Sequence, residues 1–213
     1  MTDAALGRDD VAELVPLLRR TLTLDASGLV RLRRRGERCS ALVRLPFGVL
    51  AARTVALDSA GADYDTTVRY ADLLAWVDGE RTDPPGPRDA EWRSGTPPTD
   101  GWRRIDTVPD AEVRRLVRGG ALALKDAAER EGVPGAQPRA EVADALLDSI
   151  VLTATDGELE APVSLRTLSA LTRLGFLPRD SHVAIDSAGR WIRVAATFGS
   201  VYEQRAGLGL TVR

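Results

Sequence analysis

One histidine, His182, and one cysteine, Cys39, are the only residues of their kinds in the chain. A serine–histidine–acid device would therefore have to run through His182. On an extended strand Asp186 faces the same side as His182 but lies about 13 Å along it, too far to orient the ring. No serine sits in a GxSxG turn. Cys39 alternates with Ala41 and Val43 on the apolar side of a hairpin strand, where a thiol behaves as a small buried hydrophobe with a raised pKa. These positions predict no catalytic residue. An enzyme made only of carboxylates, arginines and hydroxyls stays open at this level.

Metal and cofactor chemistry is equally unsupported. The single histidine and cysteine, with Asp63, Asp65, Glu158 and Glu160, match neither a zinc spacing nor a calcium loop. Arg118-Gly119-Gly120 precedes no GK[ST], and Gly207-Leu208-Gly209 falls on a terminal strand, so neither forms a phosphate cradle. No cofactor and no metal are expected.

The densest charge is RLRRRGER, residues 31–38, which sets Arg31, Arg33, Arg34, Arg35 and Arg38 on one hairpin as candidates for nucleic-acid or other anion binding. Residues 1–57 carry ten basic against six acidic side chains, a net of +4, and residues 58–104 six against ten, a net of −4. Phe47 is the one aromatic nearby, which leaves no base-stacking platform. The solvated face of an edge hairpin explains the same arginines, since charged edges block strand-to-strand aggregation. The order of helices and hairpin over 139–197 is similar to a winged helix-turn-helix, but its reading helix, Ser164–Leu174, offers only Arg166, Thr167 and Arg173.

Composition sets the frame that holds these residues. The 213 residues are 44% hydrophobic, enough for a real core, and their 29 basic and 31 acidic side chains leave a charge of −2, so no global field draws the chain to nucleic acid or anionic lipid. A lone cysteine fits a reducing compartment. The acidic start is no secretory signal, and the strongest uncharged apolar stretch, Val194 to Tyr202, is half a membrane span. The expectation is a cytoplasmic protein with no membrane segment.

Periodicity then divides the chain. Val11, Leu14, Val15, Leu18 and Leu22 read as a helix over 9–22, flawed by Pro16. Period-two alternation predicts strands from 29 to 57 with a turn at Gly36-Glu37, and Arg53 lies within the apolar third strand. Asp65 is read as the cap of a helix over 66–78 ended by Gly79. Six prolines between 79 and 109 mark a connector that sustains neither helix nor central strand. Beyond it come a helix to about Arg130 interrupted at Gly119-Gly120, a helix over 139–150, a hairpin turned at Asp156-Gly157, a helix capped by Ser164, a hairpin starting at His182, and a strand over 200–212.

The domains expected are thus 1–78, a connector 79–108, and 109–213. A shift of 153 residues superposes Leu18 on Leu171, Arg20 on Arg173, Val30 on Val183 and Gly36 on Gly189, and a shift of 151 places Phe47-Gly48 on Phe198-Gly199. Helix, strand, glycine turn, strand, Phe-Gly, strand recurs in both halves. Internal duplication would produce this; so would two independent helix-on-hairpin motifs. The fold class expected is α+β, two similar halves of helices on small antiparallel sheets.

Within the connector, EWRSGTPPTDGWRR (91–104) carries Trp92 and Trp102. A buried tryptophan gains about 4 to 6 kcal/mol, enough to offset the ordering of several connector residues. Both are read as structural anchors that pin the strap to the two halves, with an exposed binding arm as the alternative.

LPFGVLAARTV (45–55), DGWRRIDTVPDAEVRRLVRGGA (100–121) and LSALTRLGFL (168–177) resemble an uncharacterised family of high-GC Gram-positive bacteria. That resemblance implies a cytoplasmic protein of unknown activity and carries over no functional residue. The leading expectation is a non-catalytic binding or scaffold protein with a protein partner, or a homodimer joined through exposed strand edges. Nucleic-acid binding through the arginine hairpin is the alternative, and an enzyme of unrecognised type the third.

Overall fold

The computed structural model describes residues 6–59, 61–130 and 140–205. It divides into two compact units, residues 1–96 and 97–213. Both mix helices with antiparallel sheet, as the sequence leads one to expect.

The first unit begins with α1 (Arg8–Ala12) and α2 (Val15–Leu22). The single helix expected over 9–22 is broken in two, and Pro16 lies in the first turn of α2, where its missing N–H costs nothing. The break shifts the helical phase, so Leu17 joins Val11, Leu14 and Leu18 in the core. Strands β1 (Leu29–Arg35), β2 (Arg38–Arg44) and β3 (Leu50–Ala56) follow, then β4 (Tyr64–Arg69) and α3 (Tyr70–Val77). All pairs are antiparallel in the order β4-β1-β2-β3. Gly36 turns the β1–β2 hairpin at φ +57°, a region that favours glycine.

The helix expected over 66–78 is corrected here. Thr66, Thr67 and Val68 are β-branched and pair with β1, so the chain stays extended until Tyr70. Asp65 caps nothing; it faces arginines of the neighbouring strand. The edge of β4 is in turn covered locally, because Thr67 donates its N–H to Asp89 Oδ1 (2.6 Å) and accepts from the Arg88 N–H (2.6 Å). Val30, Leu32, Ala41, Val43, Leu73 and Leu74 are among the residues that close the core.

The second unit starts inside the expected connector. β5 (Arg103–Pro109) is the terminal strand of the order β10-β9-β8-β5, which suits a strand ending in proline. α4 (Asp110–Arg130) runs on directly from it. The expected interruption at Gly119-Gly120 does not occur: a Cβ at Gly120 would lie 2.3 Å from the Leu165 side chain, so glycine serves close helix packing instead of a break. α5 (Ala140–Asp148), β6 (Ile150–Asp156), β7 (Leu159–Ser164) and α6 (Leu165–Arg173) lead to β8 (His182–Ala188), β9 (Trp191–Ala196) and β10 (Gly199–Gln204). Ser164 caps α6 by accepting the Thr167 N–H. The strand expected to reach 212 ends at Gln204, and residues 206–213 lie outside the described ones.

The halves are similar in order. α2-β1-β2-β3 in the first unit answers to α6-β8-β9-β10 in the second, each with a glycine turn at the first hairpin, Gly36 and Gly189. Among the described residues no helix is long and apolar enough to cross a membrane.

Candidate functional site

The β1–β2 hairpin delivers its arginines to aspartates. Register places Asp65 of β4 opposite Arg33. Its two oxygens accept from Arg31 Nε (2.6 Å) and Arg33 Nε (3.0 Å), and this bonding raises the Arg31 pKa. Arg35 lies 3.8 Å from Asp63 and donates to the Arg34 and Tyr64 carbonyls. Arg34 stands on the other side of the strand, where Nη1 donates to both oxygens of Asp10 (2.7 and 2.6 Å) and Nη2 to the Ser59 carbonyl (2.8 Å). Both side chains of that pair are 11% exposed. Arg38 is exposed and meets no acid among the described residues. Four of the five candidate arginines are thus held by carboxylates. The sequence carried a signal for this, the opposite net charges of residues 1–57 and 58–104, though not for which acids would meet which arginines.

His182 is exposed at the start of β8 opposite Pro109, and Asp186 spends its carboxylate on Arg104 and Arg193. Cys39 is fully buried with Sγ 3.4 Å from Tyr64 Oη, and desolvation pushes both the thiol and the phenol up from their ordinary pKa values. Glu158 and Glu160 are exposed on the β6–β7 hairpin, and among the described residues no three metal-binding side chains cluster. One carboxylate that the sequence reading passed over, Glu203, accepts from Ser164 Oγ (2.9 Å) and Thr167 Oγ1 (2.6 Å). It sits where the positive end of α6 favours an anion, a structural use of charge.

The tryptophans differ. Trp102 belongs to the second unit and is half-buried. Its Nε1 donates to the Pro98 carbonyl (3.0 Å), the Arg193 guanidinium lies 4.4 Å from its ring centroid, and the Tyr202 ring is 5.7 Å away. Arg193 Nε also donates to Asp186 Oδ2 (2.9 Å), whose other oxygen takes Arg104 Nε (2.5 Å). Asp186 is 2% exposed, so two guanidiniums compensate one buried charge. Desolvation raises the Tyr202 phenol.

Trp92 belongs to the first unit, half-buried beside a groove of 390 Å³ that it lines with Ser27, Gly28, Leu29, Arg44 and Pro46. Its Nε1 is buried and has no acceptor among the described residues. Such a donor costs about 1–3 kcal/mol. Gly28 forms part of the wall, and a Cβ there would lie 2.3 Å from the Tyr70 ring.

The chain is similar in fold to bacterial DNA polymerase sliding clamps. The DNA polymerase III subunit beta of Pseudomonas aeruginosa matches at 16% identity with a TM-score of 0.58, over 91% of this chain and 62% of that one. The Helicobacter pylori beta clamp in complex with 3,4-difluorobenzamide matches at 10% identity and TM-score 0.57, over 94% and 64%. The Caulobacter crescentus sliding clamp matches at 14% and 0.54, over 94% and 65%. This chain therefore spans less than two thirds of the length of those clamps. No curated protein matches the sequence. Residues 4–94 match a domain of unknown function, DUF8010. Residues 97–208, more than half the chain, match the domain of unknown function DUF8185, and the chain belongs to that family.

Proposed function

We propose that the chain is a non-catalytic binding scaffold, a cytoplasmic body that presents surfaces to protein partners and to a second copy of itself. The observation that carries this reading is the likeness to sliding clamps over nine tenths of the chain, at TM-scores above 0.5. Those relatives are named as polymerase subunits and clamps. The side-chain geometry supports the same reading. The charged groups most capable of chemistry, Asp10, Asp65, Asp186 and Glu203, are consumed in contacts that hold strands and helices together. The Arg88 and Asp89 contacts that cover β4 at Thr67 direct self-association to other edges.

Affinity capture of the tagged chain from its native host, with chemical crosslinking and nuclease treatment, tests the proposal. Expected are protein partners that survive nuclease and re-form a binary complex from purified components. Recovery of nucleic acid alone, or of proteins lost on nuclease treatment, would contradict it.

Nucleic-acid binding through Arg31, Arg33, Arg34, Arg35 and Arg38 keeps one supporting observation, that the similar structures are named as subunits of a DNA polymerase. It would have to draw on Arg38 and on Arg35, whose side chain is 57% exposed.

A further inference from the structure

The groove beside Trp92 has an imbalance between donors and acceptors. Its two acids are already served: Asp25 Oδ1 accepts from the Ser27 N–H (2.9 Å) and Ser27 Oγ (2.8 Å), and Glu91 Oε1 accepts from Arg88 (2.8 Å). Its donors are not. Arg44 and Arg93 are exposed lining residues with no acceptor among the described residues, whereas the unmet Trp92 Nε1 is enclosed and not open to the groove. Leu29, Leu45 and Pro46 supply apolar wall, with the indole face beside them. Its 390 Å³ suits a small organic molecule.

We infer that this groove is a binding site for a small carboxylate with a flat apolar body. Arg44 and Arg93 hold the carboxylate, since guanidinium forks match its two oxygens. The apolar body lies against Leu45, Pro46 and the Trp92 ring. Neutral ligands of the same shape leave both guanidiniums unanswered. The site is independent of the scaffold reading, because it needs no protein partner and no second copy.

Calorimetric titration of the full chain with 2-naphthoate and, separately, with 2-naphthamide tests this. Naphthoate should bind, and the neutral amide about tenfold or more weaker, the worth of a charge-assisted bond. The Arg44→Ala, Arg93→Ala double variant should lose about tenfold in naphthoate affinity while keeping its thermal midpoint, as both side chains are exposed. No heat with naphthoate, equal affinity for acid and amide, or an unchanged Kd in the double variant would each overturn the assignment.

Discussion

Each unit contains an aspartate shared by two arginines on neighbouring strands, and the two clusters differ in burial. Asp65, between Arg31 and Arg33, is 24% exposed. Asp186, between Arg104 and Arg193, is 2% exposed, and Arg193 is roofed by Trp102. The chemistry is the same; access of water sets what it is worth. An exposed ion pair contributes about 0–1 kcal/mol, whereas breaking a buried one strands a charge at about 3–5 kcal/mol. A row of arginines in a sequence is thus no measure of a binding surface until its counter-charges are located.

The largest break in this comparison should come from the most enclosed pair. Arg34→Met leaves Asp10 without its fork, and urea unfolding should show a loss of about 3–5 kcal/mol. Asp186→Asn removes the compensation of the half-buried Arg193 and should cost about 2–3 kcal/mol. Asp65→Asn, the matched change in the more exposed cluster, should cost about 1 kcal/mol or less; equal losses at 65 and 186 would remove burial as the controlling variable.

Smaller effects sharpen the contrast between the two indoles. Trp102→Phe forfeits the bond to Pro98 and should cost about 1 kcal/mol, while Trp92→Phe deletes a donor that has no acceptor and should leave stability unchanged or slightly raised. The thiol gives the slightest signal. Because burial raises the Cys39 pKa above its ordinary 9.0, the folded state prefers the neutral thiol. That contribution is complete below about pH 9 and is lost as pH rises toward the folded value. Wild type should therefore lose more stability between about pH 9 and pH 11 than Cys39→Ala does.

The sequence made legible those elements whose period and punctuation agree. Arg31, Arg33 and Arg35 alternate with Val30 and Leu32, and Gly36 turns the chain, so the turn of the β1–β2 hairpin could be placed at Gly36-Glu37. Ser164 before a run of leucines located α6 and its cap. β4 was hidden because Asp65, ahead of an apolar stretch, has the local look of a helix cap, and only pairing with β1 makes Thr66 to Val68 extended. β5 was masked by the prolines around it, and Gly120 reads as a helix breaker unless Leu165 is known to lie against it. At the candidate sites residue types were visible and partners were not. Asp10 is 24 residues from Arg34, and Asp65 is 34 and 32 residues from Arg31 and Arg33, and nothing local records such contacts.

We propose that the hairpin arginines serve the fold and that the chain's partners are proteins. Fluorescence anisotropy of a labelled arbitrary duplex, titrated with wild type and with the Arg33→Ala, Arg35→Ala variant across salt concentrations, tests it directly. No binding at low salt that depends on these two side chains is expected. Wild-type affinity that falls steeply with salt, with a log–log slope reduced by about two in the variant, would contradict it and return the hairpin to a phosphate backbone.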